Sequence, residues 1–405
     1  MSMCAVTLAV TACWTQSLTW LGTLDGVYDS YAYDVAVSTD GPVVVGQSRD
    51  FDGFERGFIW TRSTGMQRIP TFDGNRSVAY AVSSSDARFV VGWAENDREE
   101  RRAFRLNRAT GTMVNLGTLG GRDSEALGIS QDGMVVVGWA QNRAGQRRAF
   151  RWFAGEMRDL GTLGGSESVA TSISVKGLGE DREIVVGWAQ DRSGAEYSFR
   201  WGPRIGMNFL DASNDTGSFA YAISEDARTV VGRLSEFGAY RWTLQSGRML
   251  ALLGFGGRVD TTSVAYDVSA DGSVIVGQAG RNRAARWTPP FSSGEDLNTT
   301  YADLLRDGSR LEAARGISAD GRYIVGWGFN ARTRRTEAFL LDTYACVPRN
   351  GDTDGDCLVN DIDLLAVLLA FGQQGNADAD MNCDGTVNDV DLLTVLLNFG
   401  SGEPC

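Results

Sequence analysis

Residues 128–139 read Gly-Ile-Ser-Gln-Asp-Gly-Met-Val-Val-Val-Gly-Trp, a polar turn followed by an apolar run that ends in glycine. The run and its glycine occur seven times along the chain, and successive glycines lie 46, 46, 49, 45, 45 and 49 residues apart. A regular period of this length is the signature of a repeat architecture, in which one supersecondary unit is stacked on its own copies. The seven glycines are Gly46, Gly92, Gly138, Gly187, Gly232, Gly277 and Gly326.

Each repeat has the same internal order. A serine precedes a turn, as in residues 130–133, and Asp-Gly between apolar runs predicts a type I′ hairpin because both residues tolerate positive φ. The valine-rich strand comes next, and a polar loop leads to an aromatic strand such as residues 150–152, Phe-Arg-Trp. A last short strand is predicted at Leu-Gly-Thr-Leu, best seen at residues 116–119 and 160–163.

Four short β-segments in about 46 residues is the spacing of a β-propeller blade. Seven copies therefore predict a mainly β protein with a seven-bladed propeller over residues 16–343. The seventh copy lacks Leu-Gly-Thr-Leu after Leu341, whereas residues 18–24, Leu-Thr-Trp-Leu-Gly-Thr-Leu, stand alone before the first copy. We expect this N-terminal strand to complete the last blade and to remove a free edge. An open β-solenoid is the alternative, but it needs no spare strand at the front.

The repeats resemble the HAF-repeat family of extracellular bacterial proteins. Leu-Gly-Thr-Leu-Gly-Gly, Gly-Ile-Ser, Val-Val-Gly-Trp and Arg-Ala-Phe-Arg-Trp carry the resemblance, which covers residues 18–342. The chain departs from the family at Arg102 and Arg148, which stand where the His of His-Ala-Phe is found. The resemblance implies an extracellular protein and no particular biochemical activity.

The composition excludes several classes of site. The 405 residues include no histidine, which excludes Ser-His-Asp and Cys-His catalysis and histidine zinc sites. No segment is strongly basic and the net charge is −13, so nucleic-acid binding is disfavoured. No apolar run reaches the roughly 18 residues of a membrane-spanning helix. A pair of carboxylates, as in glycosidases, is the remaining route to hydrolysis, and the sequence alone places no such pair.

Tryptophans recur at equivalent positions of the repeats. They are open to two interpretations: rings that fill the gaps between blades, or a platform on which carbohydrate stacks. Recurrence at equivalent positions favours packing, because binding sites are usually built from departures from a repeat. The recurring residues are Trp60, Trp93, Trp139, Trp152, Trp188, Trp201, Trp242, Trp287 and Trp327.

The acidic charge is concentrated at the C-terminus. Residues 344–405 hold 11 acidic residues and one basic residue, Arg349, which is a net −10 of the total −13. Residues 352–363 and 380–391 repeat one another 28 residues apart, and each leads into an apolar helix that stops at Gly372 or Gly400. Oxygens at loop positions 1, 3, 5, 7, 9 and 12 suit Ca²⁺, which takes six to eight oxygen ligands. Two Ca²⁺ sites are thus predicted, with carbonyls at position 7, on Asp352, Asp354, Asp356, Leu358, Asn360 and Asp363 and on Asp380, Asn382, Asp384, Thr386, Asn388 and Asp391.

The two loop–helix units resemble the type I dockerin module over residues 351–400, with Asp at loop position 12, Asn at position 9 and the apolar helix as the matching features. Cys357 departs from the pattern, because glycine normally makes the sharp turn there. The resemblance implies antiparallel helices, a C-terminus beside the first loop and a cohesin-like partner on a scaffold or surface protein. The near-identical pairs at residues 361–362 and 389–390 imply docking in either of two orientations.

The helices are apolar on more than one face. Leu364, Leu368 and Phe371 form one predicted stripe, and Leu365 and Leu369 form another. Packing the two helices together hides one stripe of each, so the other is left for a partner protein. The alternative is that both stripes pack within the molecule.

Six cysteines lie at the two ends of the chain. Four of them, in residues 344–405, indicate two disulfides and an oxidising, extracytoplasmic compartment, and the spacing leaves three connectivities open. The dockerin resemblance implies Cys357–Cys405 and leaves Cys346–Cys383. Residues 1–15, with Cys4 and Cys13, are apolar and small like the end of a signal peptide, although a positive n-region is missing. Lipidation of Cys13 is a less favoured alternative.

The sequence therefore predicts a secreted, non-enzymatic binding protein with three parts: a leader (1–15), a propeller (16–343) and a calcium-dependent docking module (344–405). No catalytic residue is predicted. A glycoside-hydrolase-type enzyme acting on polysaccharide is one alternative, and it requires a non-repeated carboxylate pair in the channel. A glycan-binding propeller is another, and it requires exposed tryptophan faces.

Overall fold

The computed structural model describes residues 16–177, 182–212, 217–343, 351–353, 358–373, 379–381 and 386–401. The chain divides into two compact units, one of which is Leu18–Asp342, while the flanking N- and C-terminal residues form the other. Leu18–Asp342 holds seven four-stranded sheets, which are the blades of a β-propeller. The predicted mainly β, seven-bladed fold is confirmed.

Blades 1–6 are meanders whose first strand is innermost, and the last blade differs in taking its outermost strand from the N-terminus. The isolated first strand of the chain is β1 (Ser17–Gly22). Blade 1 consists of β2 (Ser30–Ser38), β3 (Gly41–Arg49), β4 (Glu55–Thr61) and β5 (Gly65–Arg68). Blade 2 consists of β6 (Asp73–Val82), β7 (Phe89–Asn96), β8 (Arg101–Asn107) and β9 (Thr112–Asn115). Blade 3 consists of β10 (Gly120–Ile129), β11 (Val136–Asn142), β12 (Arg147–Phe153) and β13 (Glu156–Asp159).

The remaining blades follow the same order, and a short helical segment precedes the last. Blade 4 consists of β14 (Gly164–Ser174), β15 (Ile184–Asp191), β16 (Glu196–Gly202) and β17 (Gly206–Phe209). Blade 5 consists of β18 (Ser218–Ile223), β19 (Thr229–Leu234), β20 (Gly238–Thr243) and β21 (Met249–Ala251). Blade 6 consists of β22 (Val264–Val268), β23 (Ile275–Ala279), β24 (Arg283–Trp287) and β25 (Glu295–Asp296). After α1 (Leu297–Thr300) and a 3₁₀-helix (Ala302–Leu305), blade 7 has β26 (Arg310–Ile317), β27 (Tyr323–Asn330) and β28 (Arg335–Asp342).

The N-terminal strand closes the ring, as predicted. The last sheet has the order β1-β28-β27-β26, so β1 is its outermost strand. The backbone N–H of Ala338 in blade 7 donates to Ser30 Oγ in blade 1, at 2.9 Å. A cluster that includes Leu21, Val44 and Leu340 is buried between the two blades. The two ends of the propeller are therefore held together in one blade.

The glycine that follows each valine run lies within the second strand of its blade, at a place where no side chain fits. A Cβ on Gly138 would lie 2.0 Å from the carbonyl oxygen of Glu125 on the neighbouring inner strand. The equivalent distance is 1.9–2.0 Å at all seven repeat glycines. The inner strand of each blade therefore packs directly on the glycine, which explains why this residue marks the period.

Buried serine hydroxyls join the blades. A serine on the inner strand of one blade, or directly before it at Ser263, accepts a hydrogen bond from a backbone N–H on the third strand of the preceding blade. This bond is found at six of the seven joints in the described residues. At the joint of blades 6 and 7, the side chain of Asn298 bonds the N–H and C=O of Leu311 instead, at 2.8 and 2.9 Å. The serines are Ser30, Ser77, Ser124, Ser168, Ser218 and Ser263.

The expected type I′ turn was wrong. In residues 130–133 only Gly133 has a positive φ, of 70°, whereas a type I′ turn requires it at both central residues. The turn is held by side chains instead, because Ser130 Oγ donates to Asp132 Oδ1 at 2.6 Å and accepts from the N–H of Val135 at 2.9 Å. In two repeats, Ala87 and Ala227 take the positive-φ position of the glycine.

The position of the fourth strand was also wrong. In blade 3 this strand is Glu156–Asp159, directly before Leu-Gly-Thr-Leu at residues 160–163. Leu160 is buried between blades, and Thr162 Oγ1 donates to the carbonyl of Gly165 at 2.9 Å. The motif is therefore the turn that leads into the next blade.

Two further helices lie in the C-terminal residues: α2 (Asp361–Ala370) and α3 (Asp389–Asn398). Both begin with a capping box, in which an asparagine side chain and the aspartate three residues later cap the first turn reciprocally. Among the described residues, no helix has the length and apolarity needed to traverse a bilayer.

Candidate functional site

The inner strand of every blade has a β-bulge at the same place. The strand register slips by one residue there, for example between Ala32 and Asp34 and between Ala265 and Asp267. A bulge turns its extra side chain out of the regular alternation, and here the seven extra residues all line one cavity of about 360 Å³ in the centre of the ring. They are Tyr33, Tyr80, Leu127, Thr171, Tyr221, Tyr266 and Arg315.

Four of these bulge residues are tyrosines, and they form two pairs. The rings of Tyr33 and Tyr80 lie 5.5 Å apart, and those of Tyr221 and Tyr266 lie 6.0 Å apart. Burial raises the pKa of Tyr80 to about 12 and raises that of Tyr33 further, so both phenols stay neutral. The cavity wall is therefore aromatic on four blades and carries hydroxyl groups that can donate or accept.

Two carboxylates stand directly after bulge tyrosines, in blades 1 and 6. Asp34 Oδ1 accepts from the N–H of Val35 at 2.7 Å and Oδ2 from that of Val82 in blade 2 at 2.9 Å. Asp267 repeats this pattern with its own strand at 2.8 Å and with blade 7 at 2.9 Å. Each carboxylate thus ties two inner strands together, and each also lines the cavity.

Arg315 provides the cation of the cavity and lies on blade 7, between the blades of the two aspartates. Its guanidinium carbon is 4.5 Å from the centre of the Tyr266 ring, a cation–π contact. Burial raises the pKa of Asp34 to about 7 and that of Asp267 to about 6, while the charge of Arg315 acts in the opposite direction on both. The negative charge of Asp267 further raises the pKa of Asp34.

Sequence reasoning missed this site, although a signal was present. The bulge residue follows a constant alanine in every repeat and precedes Val or Ile by two positions, as in residues 32–35 and 265–268, which both read Ala-Tyr-Asp-Val. The two positions in between vary from repeat to repeat. Variable positions inside an otherwise regular motif are where a repeat protein departs from its own pattern, and here they face the cavity.

The recurring tryptophans pack between blades. Of the nine, Trp60, Trp93, Trp152, Trp242 and Trp287 are buried, and the other four are half-buried. None is exposed, which favours packing over a platform on which carbohydrate stacks.

The first predicted calcium loop is only partly within the described residues. Asp363 is fully buried, and its Oδ1 accepts from the N–H of Thr353 at 2.5 Å and from Thr353 Oγ1 at 2.7 Å. Its Oδ2 accepts from the N–H of Asn360 at 2.8 Å. Asp352 is half-buried and Leu358 is exposed, whereas Asp354 and Asp356 lie outside the described residues.

The second loop has matching geometry. Asp391 is fully buried, and its Oδ2 accepts from the N–H of Asn388 at 2.8 Å. Asn388 Nδ2 donates to the carbonyl of Thr386 at 3.0 Å, so positions 7, 9 and 12 are brought together. Asp380 is buried. Asn382 and Asp384 lie outside the described residues, as do all six cysteines and residues 1–15. Among the residues that are described, no three acidic, cysteine or histidine side chains converge as a metal site.

The end of each predicted calcium loop forms backbone hydrogen bonds with the residues that follow the helix of the other loop. Val359 exchanges backbone hydrogen bonds with Gly400 and Ser401, at 2.8 and 3.0 Å. Val387 does the same with Gly372 and Gln373, at 2.7 and 3.0 Å. These contacts are related by the same 28-residue shift as the loops, and they place residue 401 beside the first loop.

The predicted stripes of the helices were wrong. Leu364 packs on a buried cluster with Val367 and Ala370, whereas Leu368 and Phe371 are exposed. Each helix leaves five large apolar side chains 45–75 % exposed, at positions that correspond after the 28-residue shift. We call these ten side chains the exposed helix faces: Ile362, Leu365, Leu368, Leu369 and Phe371, and Val390, Leu393, Leu396, Leu397 and Phe399.

Comparisons with known proteins extend to the fold alone. No protein-family model matches the chain, and no curated protein matches it. Among solved structures, an oligogalacturonate lyase from Vibrio parahaemolyticus is similar, with a TM-score of 0.52 and 10% identity over 81% of this chain and 97% of that one. TolB from Acinetobacter baumannii matches with a TM-score of 0.40 and 14% identity, over 78% of this chain and 64% of TolB. At 10% identity the first match supports the propeller fold and carries no activity across to this chain.

Proposed function

We propose that this chain is an extracellular, non-enzymatic binding protein, whose propeller is attached to a partner through a calcium-dependent, dockerin-like module at residues 344–405. The HAF-repeat resemblance and the four C-terminal cysteines support the extracellular placement. The proposed partner of the module is a cohesin-like protein on a scaffold or a cell surface.

The single observation that carries this proposal is the pair of exposed helix faces. Leu369 and Leu397 are 73% and 75% exposed, although leucine on a short helix is normally turned inward. Several large apolar side chains exposed on one short helix are typical of a protein-interaction site. A second copy of this chain is a poor occupant, because residues 344–405 carry a net charge of −10 and two such modules repel each other.

The charges of the module support calcium. Asp363 and Asp391 are fully buried, yet Arg349 is the only basic residue among residues 344–405. Burying a carboxylate is costly unless an opposite charge or hydrogen bonds compensate for its lost hydration. Asp363 and Asp391 already accept backbone hydrogen bonds, and a hard cation held by the predicted oxygen donors would add the opposite charge, because Ca²⁺ binds carboxylate, amide and carbonyl oxygens. When bound, it would link each loop to the start of its helix.

Calorimetric titration of chelator-treated, full-length protein with CaCl₂ tests the metal sites. We expect two ions per chain for the wild type and loss of binding in the Asp363→Asn, Asp391→Asn double variant. Asp361→Asn with Asp389→Asn is the matched control, because these exposed residues lie in the same helix turns and removing them deletes the same charge. Absence of Ca²⁺ binding by the wild type at millimolar concentration, or equal loss in the control, would overturn the proposal.

Binding to a purified type I cohesin domain, measured with calcium and with chelator, tests the partner. Leu369→Asp and Leu397→Asp should each retain binding, because the other helix face remains, and the double variant should lose it. Loss of binding in a single variant contradicts the expectation that the module docks in either of two orientations. No binding by the wild type, or a calcium-dependent dimer in light scattering, contradicts the cohesin-like partner.

A second candidate is a polysaccharide-active enzyme, favoured by one observation. Asp34 and Asp267 are a carboxylate pair at non-repeated positions of the channel, and burial raises their pKa values unequally. Against it, both oxygens of each carboxylate already accept backbone N–H groups. Release of reducing ends from plant or bacterial polysaccharides by the wild type, and not by Asp267→Asn, would establish this function in place of the non-enzymatic one.

A further inference from the structure

The cavity in the centre of the propeller has the dimensions and lining of a small-ligand site. Its volume of about 360 Å³ lies within the range of ligand pockets, and its side chains come from the seven bulges rather than from the regular strand faces. The bulges recur in all blades, but the side chains that they present differ. The scaffold is therefore symmetric while the lining is not.

Among the polar side chains of the cavity lining, Arg315 is the one whose hydrogen-bond donors are available to a ligand. Within the described residues its guanidinium has no hydrogen bond and no ion pair, and its contact is with the face of Tyr266. A guanidinium has five N–H donors, and its planar fork matches the two oxygens of a carboxylate. Asp34 and Asp267 do not occupy this fork, because their oxygens are bonded to the backbone of blades 1, 2, 6 and 7.

We propose that the cavity binds a small saccharide that carries a carboxylate, such as a uronic acid, with the carboxylate on Arg315 and the sugar ring against the tyrosines. The ring pairs of Tyr33 with Tyr80 and of Tyr221 with Tyr266 offer flat apolar faces, on which the C–H face of a sugar packs. Thr171, Ser172 and the phenols lie in the same wall and offer partners for sugar hydroxyls.

Other ligand classes fit the lining less well. An apolar ligand would cover Arg315 without satisfying its donors, which is costly. A free cation would face the guanidinium, and a phosphate dianion would face two carboxyl groups. A single carboxylate surrounded by hydroxyls satisfies Arg315 and leaves polar partners for the aspartates.

The charges of the wall predict how binding depends on pH. The titratable and charged groups facing Arg315 are Asp34, Asp267 and the phenols of Tyr33, Tyr221 and Tyr266. Burial raises the pKa of Tyr33 and of Tyr221, so these phenols stay neutral, whereas burial brings the pKa values of Asp34 and Asp267 to about 7 and about 6. Protonation of the two aspartates removes negative charge beside the bound carboxylate, and affinity should therefore rise as the pH falls from 8 to 5.5.

Titration calorimetry of the full-length protein in calcium buffer, with galacturonate as the probe and galactose as the neutral comparison, tests this inference. We expect galacturonate to bind, and Arg315→Gln to weaken its binding by at least about tenfold, since a charge-assisted bidentate pair is lost. Arg310→Gln is the matched control, because Arg310 lies on the same strand and outside the cavity lining.

No binding at millimolar galacturonate, equal binding of galactose, or equal loss in Arg310→Gln would overturn the inference. Tighter binding at pH 8 than at pH 5.5 would also contradict it. The inference names the ligand class of the propeller in the proposed function but does not depend on the docking module. Arg315→Gln should leave calcium and cohesin binding unchanged, so a failure here is distinguishable from a failure of the docking proposal.

Discussion

A single buried hydroxyl at each joint shows how the blades recognise one another. Ser124 Oγ accepts from the N–H of Ala103 at 2.9 Å and donates to the carbonyl of Gly117 at 2.7 Å. The serine is fully buried, so water cannot replace it. One side chain thus satisfies a backbone N–H of the preceding blade and a carbonyl of the turn between the two blades.

Replacing this hydroxyl should weaken the propeller. We expect Ser124→Ala to lower the free energy of unfolding by about 1–3 kcal/mol, because the N–H of Ala103 is left buried without a partner. Urea unfolding followed by tryptophan fluorescence measures the effect. Ser292→Ala is the control, because Ser292 is exposed, and a change of similar size there would contradict the explanation.

Asp34 and Asp267, the two aspartates that line the cavity, should make the free energy of unfolding depend on pH. Burial raises their pKa values above those of the unfolded chain, so the folded state binds more protons between about pH 4 and pH 7. The stability contributed by these groups is therefore present at low pH and lost as the pH rises through this window, by about 1.4 kcal/mol for each unit of raised pKa.

Substitution by asparagine should remove this dependence. Relative to wild type, Asp34→Asn with Asp267→Asn should become more stable as the pH rises from 5 to 8 in urea unfolding experiments. Asp52→Asn, the same substitution at an exposed position, is the control, and the same trend there would contradict the explanation. A constant difference for the channel variant would show that the aspartates do not titrate as described.

At the scale of the element, the pairing of the second strand of each blade with the inner strand depends on the repeat glycine. We expect Gly138→Ala to destabilise the chain by about 3 kcal/mol or more, because the new Cβ would overlap the carbonyl of Glu125 and separate β10 from β11. Thermal unfolding measures this loss. Gly145→Ala is the comparison: a Cβ there meets no atom within 4 Å, and only its positive φ costs about 1–2 kcal/mol. Equal losses in both would disprove the packing explanation.

At the scale of the whole molecule, closure by β1 should contribute strongly to stability. Leu21 is 7% exposed and lies between the first and last blades. Leu21→Ala should cost about 2–5 kcal/mol, as for other buried leucines, and should lower the unfolding midpoint of the propeller. Val27→Ala, at a side chain 44% exposed, should change stability by less than about 0.5 kcal/mol. A small effect at Leu21 would mean that the ring is held closed by other contacts.

The periodic features of the fold were predictable from the sequence, and the site in the central cavity was not. The recurrence of Gly46 and its six equivalents predicted seven blades, and residues 18–24 predicted their closure. The type I′ turn and the fourth strand were wrong because side-chain hydrogen bonds, such as that of Ser130, decided the local geometry. The residues that would bind calcium in the two loops were predicted from their spacing, and calcium binding there stays a prediction.

The sequence by itself determined the number of blades, their order and the strand that closes the ring, because these follow from a repeated local pattern of turns and apolar runs. Only the tertiary structure decided which side chains meet in the central cavity, because the side chain of a bulge residue changes direction where the register of two paired strands shifts by one residue. It also decided which face of each C-terminal helix is buried. Leu364 and Leu368 are the same residue type, and their surroundings alone distinguish them.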